Sequence, residues 1–281
     1  MHIRPLVLAG ALLVSTLQSP ASVLLYDNTL GTTPGAQPWL FFGFAGGAPA
    51  QAAVPGGVNL VTTDAISAGY GNYIGPFLKN AAFPSLNRAA GFALEFELQL
   101  NQESHNNANR AGFSVILLAS DLMGIELGFW SGEIWAQSGS DFLHAEGAAF
   151  DTTQPGILYR LEILGGSYTL FANGSPVLSS ALRNYSAFGL PYSLPNFLFL
   201  GDNTTSAWAD ITLGRVELTE LPEPGSAAVI GLGLIAGLCG RRFLRPRSLH
   251  SKEGKDREMP IPNERNVECE NHRRQHSPRG G

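Results

Sequence analysis

The chain has 281 residues and a net charge of −5, with charged residues at 15%, 33 glycines and 18 prolines. That length suits one large domain with a full core, and the composition excludes a disordered acidic tail. Eleven of the 18 basic residues lie from Arg241 onward, so the body before them is acidic and repels polyanions, which excludes nucleic acid as a partner.

His2 and Arg4 stand before an apolar run at 6–17, and Ser19 and Ala21 then place small residues at the −3 and −1 positions for cleavage. This is the charged, apolar, small-residue order of a secretory signal peptide. As a helix the run reaches about 18 Å, too short to cross a bilayer. Residues 1–21 therefore read as a signal peptide and the mature chain as exported. The two cysteines, Cys239 and Cys269, both lie beyond the exported body. Neither a disulfide nor thiol chemistry is available to that body, so a large core must hold it together.

Residues 23–90 are rich in Gly, Ala and Pro and read as the first strands and long loops of the domain. From 92 onward, period-two alternation takes over. Phe92, Leu94, Phe96, Leu98 and Leu100 share one face; Ala93, Glu95, Glu97, Gln99 and Asn101 share the other. Glu95 and Glu97 lie about 7 Å apart on that second face, a spacing that glycosidase carboxylates use, although a solvated strand face looks the same. Residues 113–119 form a continuous apolar run, as expected of a strand covered on both sides. His105 and His144 are the domain's only histidines, and neither belongs to a legible nucleophilic triad.

The hairpin 124–137 is the candidate binding element. A two-residue turn at Ser131-Gly132 pairs Trp130 with Glu133 and Gly128 with Trp135. Glu126, Trp130, Glu133, Trp135 and Gln137 then share one face, opposite Ile125, Leu127, Phe129, Ile134 and Ala136. Two readings stand. In one, the indoles stack on flat sugar rings while the carboxylates and the amide bond to hydroxyls. In the other, Trp135 covers the bare Gly128, or a loop buries both rings. A one-residue slip would exchange the faces, so both readings depend on the turn.

Ile157, Tyr159, Leu161 and Ile163 alternate inward, Gly165-Gly166 makes a tight turn, and Asn173-Gly174 makes a second. Asp202 and Asn203 favour a turn and are too few to hold calcium. In the last strand Ile211 and Leu213 are out of phase with Val216 and Leu218, which places a β-bulge at Gly214. No soluble helix is legible. The double hairpin LYRLEILGGSYTLFANGSPVLSSALR and the closing FLFLGDNTTSAWADITLGRVEL resemble concanavalin A-like, laminin-G-like jelly rolls of the choice-of-anchor type. The fold class expected is all-β, a jelly-roll sandwich.

Leu221-Pro222-Glu223-Pro224, an uncharged Gly/Leu-rich run at 225–240, and then Arg241 and Arg242 form a three-part order. The run reaches about 24 Å, and snorkelling arginines extend it toward a membrane-spanning length. The basic flank marks its far side as cytoplasmic. This end resembles the PEP-CTERM sorting signal. The resemblance implies that Pro222, Glu223, Pro224, Arg241 and Arg242 form the sorting motif, that an exosortase-like membrane enzyme is the processing partner, and that exopolysaccharide is nearby. Such proteins usually end soon after the arginines, whereas here a polar, disordered-reading tail follows at 248–281.

The expected organisation is a signal peptide at 1–21, a β-sandwich at 22–220, the sorting signal with one transmembrane helix at 221–247, and the tail. The leading functional reading is an exported, non-enzymatic surface or matrix protein needing no cofactor or metal. A carbohydrate-binding module comes second and a glycan hydrolase third.

Overall fold

The structure, a computed structural model, describes residues 21–222. Most of the expected signal peptide, then Glu223, Pro224, Arg241 and Arg242 of the expected sorting motif, the apolar run and the tail lie outside the described residues.

Ser22–Tyr26 (β1), Phe41–Ala45 (β2), Ala50–Val54 (β3), Gly57–Val61 (β4) and Ser67–Gly71 (β5) come first in the chain. A short hairpin follows, Tyr73–Ile74 (β6) and Phe77–Leu78 (β7). Next are Phe92–His105 (β8), Ser114–Leu118 (β9), Met123–Trp130 (β10), Glu133–Gln137 (β11) and His144–Ala149 (β12). The chain continues through Leu158–Leu164 (β13), Ser167–Ala172 (β14), Ser175–Ala181 (β15) and Arg183–Asn184 (β16). It ends with Leu198–Gly201 (β17) and Ala207–Glu220 (β18). Among the described residues the only helical pieces are three short 3-10 turns, in keeping with the absence of helical periodicity.

Two antiparallel sheets face each other. The first runs β15-β14-β13-β8-β18-β4-β3, with β1 also on β18; the second runs β12-β11-β10-β9-β17-β5-β2, with β16 also on β10. The alternating residues of β8 behave as the sequence indicates: Phe92, Leu94, Phe96, Leu98 and Leu100 are buried in the shared core. Tyr159, Leu161, Ile163, Ile211 and Leu213 join them from the same sheet. Ile125, Leu127, Phe129, Ile134 and Ala136 meet them from the other. This is the two-layer solution for sheets with one apolar face each.

Local chemistry fixes the turns. Asn173 and Gly174 adopt φ of 48° and 79°, the left-handed pair of a tight hairpin turn. The β8–β18 register slips between Leu213 and Val216, where the phase change at Gly214 places a bulge. A Cβ on Gly214 would sit 2.4 Å from Glu97 Oε2, so the bulge also makes room for that carboxylate.

β8 and β18 pair along their whole length, which gives the sandwich two poles. Phe92 meets Glu220 at one, and His105 meets Ala207 at the other. Ser22 pairs with Thr219, so the chain enters and leaves at the first pole. The outer face of the second sheet is not solvent-facing throughout. Ile116 and Leu118 of β9 pack there beneath Tyr185, Tyr192, Leu194 and Phe197 from the connection between β15 and β17.

Candidate functional site

The β10–β11 hairpin has the register that its turn dictates: Trp130 opposite Glu133, Phe129 opposite Ile134, and Gly128 opposite Trp135. Its outer face is nevertheless closed over. Trp135 is 1% exposed, Glu126 3% and Gln137 1%. Trp135 lies across Gly128, where an added Cβ would come 2.7 Å from two atoms of the indole. His144 of β12 stacks on the Trp135 ring at 4.4 Å and 17°. His105 stacks on Trp130 at 4.1 Å and 5°, and Trp130 Nε1 donates to the Arg110 carbonyl at 2.9 Å. Both indoles therefore spend a ring face on an imidazole that is itself bonded to a carboxylate. Glu103 lies 3.0 Å from His105 Nδ1, and Glu133 lies 3.1 Å from His144 Nε2.

Glu126 faces protein as well. Tyr192 donates to Glu126 Oε2 at 2.6 Å, and Asn203 Nδ2 donates to Oε1 at 2.9 Å. Burial pushes this carboxyl up, against the pull of those two donors and of Arg110. Tyr185 donates from its hydroxyl to the Gln137 carbonyl at 2.7 Å. Of the two readings of the face that carries Trp130, Trp135, Glu126, Glu133 and Gln137, the covered one holds and the open two-indole platform is corrected: register and face are as expected, but Trp135, Glu126 and Gln137 are buried. The physical reason is non-local, since the residues that cover them come from 144 and 183–203.

The remaining candidates resolve similarly. Glu95 forms an ion pair with Arg160, and Glu97 lies over Gly214. Asp202 Oδ1 accepts the Thr204 N–H at 2.9 Å, the local turn bond expected of that residue type. Among the described residues, no group of three or more His, Cys, Asp or Glu is placed to hold a metal ion.

An open depression lies elsewhere, near the pole opposite Ser22 and Glu220. It measures about 420 Å³ and is lined by Val61, Thr62, Thr63, Asp64, Ala65 and Trp208. Trp208 is only half-buried and pairs with Ser104 on β8. Asn106 Nδ2 approaches Asp64 at 3.5 Å on the rim. Asp202, 1% exposed, stands close by with Oδ2 unpartnered; burial pushes its carboxyl up to about 7 against the pull of the Thr204 N–H, and the charge of Asp64 adds to the rise. A half-exposed indole beside hydroxyls and a carboxylate, in a hollow of this size, matches the general make-up of small-ligand sites. The sequence carries a signal for it. Ala207, Ala209, Ile211 and Leu213 are the inward set of β18, which leaves Trp208 among the outward positions with Asp210 and Thr212.

The described chain is thus a two-sheet antiparallel β-sandwich. No family model matches it, and no curated protein matches it. Among solved structures it is similar to domain 4 of a GH43 extracellular arabinanase from Geobacillus stearothermophilus, bound to arabinotriose, at 14% identity and a TM-score of 0.43; the match covers 74% of this chain and 97% of that one. It is similar to the exoplasmic/lumenal domain of VIP36 at 9% identity and a TM-score of 0.43, covering 73% and 91%. It is also similar to a carbohydrate esterase from bacteriophage phi24B at 12% identity and a TM-score of 0.44, covering 64% and 90%.

Proposed function

We propose that this chain is an exported, non-enzymatic surface or matrix protein whose concanavalin A-like jelly roll holds exopolysaccharide at the Trp208 depression. Export rests on the segment at 1–21. Sorting rests on Pro222, Glu223 and Pro224 followed by the apolar run and Arg241-Arg242, with an exosortase-like enzyme as processing partner. A non-enzymatic role is favoured by the engagement of the candidate acids and bases. Glu95 is tied to Arg160, Glu126 to Tyr192, and both histidines to a carboxylate and an indole.

The observation that carries the binding half of the proposal is the depression itself, an aromatic wall with Thr63 and Asp64 beside it. A stacked sugar ring contributes about 1 kcal/mol beyond area burial. Single-site affinity is therefore weak, and a polymer is held by many copies.

The test is retention of the full chain, in detergent, on the exopolysaccharide of the source organism immobilised on a matrix. Trp208→Ala is expected to weaken binding roughly tenfold, equivalent to ~1.4 kcal/mol. Trp208→Phe, which keeps an aromatic face, is expected to bind nearly as the parent does. Equal retention of the parent and Trp208→Ala would overturn the reading.

A further inference from the structure

We infer that the β6–β7 hairpin tip is a membrane-touching element, its partner the lipid surface into which the run at 225–240 inserts. This inference rests on the anchor reading of that run and extends it to a surface of the folded domain.

The tip is apolar and open. Ile74 and Phe77 face each other across the Gly75-Pro76 turn, and they are 45% and 73% exposed. Phe77 is the most exposed large hydrophobic among the described residues, ahead of Phe44 at 55% and of Phe188 and Phe41 at about 40%. The base of the hairpin is pinned. Tyr73 donates to the Pro195 carbonyl, and Lys79 Nζ is held by the carbonyls of Gly35, Gln37 and Leu40. Such a support presents the tip at a fixed height.

The tip also belongs to the pole from which the chain leaves. Leu221 N–H donates to Gly91, and Gly91 N–H to Asn87, each at 3.0 Å. The adjacent Leu86 N–H donates to Asn196 Oδ1 at 2.8 Å. Asn72 Nδ2 donates to the Asn196 carbonyl, and Lys79 N–H to the Asn72 carbonyl, both at 2.8 Å. This hydrogen-bond path joins the exit point to the hairpin base. Leu164 adds a second apolar point beside the exit, 44% exposed and set against Gly91 and Leu221.

The occupant follows from the chain that continues. The described residues end at Pro222, and the apolar run begins at Gly225. Three residues span at most about 10 Å when extended, so an inserted run holds this pole against the bilayer. Facing sheets lie about 10 Å apart, which leaves the tip within reach of the same interface. Apolar side chains placed there bury about 5–10 Å into the headgroup boundary.

The experiment uses the full chain with Cys239→Ser and Cys269→Ser, carrying one environment-sensitive label at either Pro76→Cys or Ala108→Cys. Ala108 is exposed in the loop after β8, at the opposite pole. The chains are reconstituted into phosphatidylethanolamine/phosphatidylglycerol vesicles with and without spin-labelled lipid, and anchoring is read separately by flotation. The label at 76 is expected to shift to the blue and be quenched about twofold, as its interfacial depth requires, while the label at 108 is unaffected. Adding Ile74→Ser and Phe77→Ser is expected to remove the quenching while flotation persists.

If the chain floats but both labels respond alike, the hairpin proposal is overturned and the anchor reading survives. Shielding at 76 that follows the protein-to-lipid ratio, without lipid quenching, identifies a second copy as occupant and overturns it too. A chain that does not float overturns both.

Discussion

Asp202 holds the clearest titration in the domain. Its carboxyl, 1% exposed, is pushed by burial up to about 7 from an ordinary 3.8. The folded state therefore binds more protons than the unfolded state between those values, and stability falls as pH rises through that window. Between pH 5 and pH 8 the loss is on the order of 2–3 kcal/mol, at ~1.4 kcal/mol per unit of displacement. Asp202→Asn keeps an oxygen for the Thr204 N–H and removes the titration. Thermal unfolding at the two pH values should show the parent losing this stability and the variant not; parallel slopes would show that Asp202 does not titrate in this range. Trp208 belongs to the same scale. Its type and parity on β18 were readable, since an indole stood among outward polar positions. The depression beside it was not, because Thr63 and Asp64 arrive from a strand end about 145 residues earlier in the chain.

The β10–β11 hairpin shows which part of an element is local information. The turn, register and division of faces follow from Ser131-Gly132 and the alternation around it, and the structure has them as read. Whether a face meets water depends on what folds over it. His144, Tyr185, Tyr192 and Asn203 decide that, and nothing in residues 124–137 announces them. That limit did not apply at 113–119, where an unbroken apolar run reported cover on both sides because β9 carries apolar residues in both phases. Trp135→Ala is accordingly expected to cost about 3–5 kcal/mol, as large aromatic deletions in a core do. Urea unfolding measures that cost, and retention on immobilised exopolysaccharide should be unchanged in the still-folded variant. Lost retention at unchanged stability would return the hairpin to the role of binding platform.

Across the whole molecule, chain entry and exit share one pole with the apolar β6–β7 tip, while the Trp208 depression lies toward the other. That polarity suits a domain held at a surface by one end and free to meet polymer at the other. The N-terminal boundary fits as well. Cleavage after Ala21 would leave β1 whole from Ser22, paired with Thr219, and among the described residues would remove the bond in which the Ala21 carbonyl accepts the Glu220 N–H. The two-sheet architecture was legible because alternation, tight turns and the bulge at Gly214 are all encoded within a few residues. The strand assignments before residue 90 were less so, because Gly- and Ala-rich strands such as SAGYG and AQAAV carry little apolar contrast. Export is the claim on which the anchor, the sorting motif and the polymer contact all depend. Its most direct test is N-terminal sequencing of the chain recovered from the surface fraction of the source organism. A mature terminus at Ser22 is the expected result, and a surface-fraction protein that retains Met1 would contradict it.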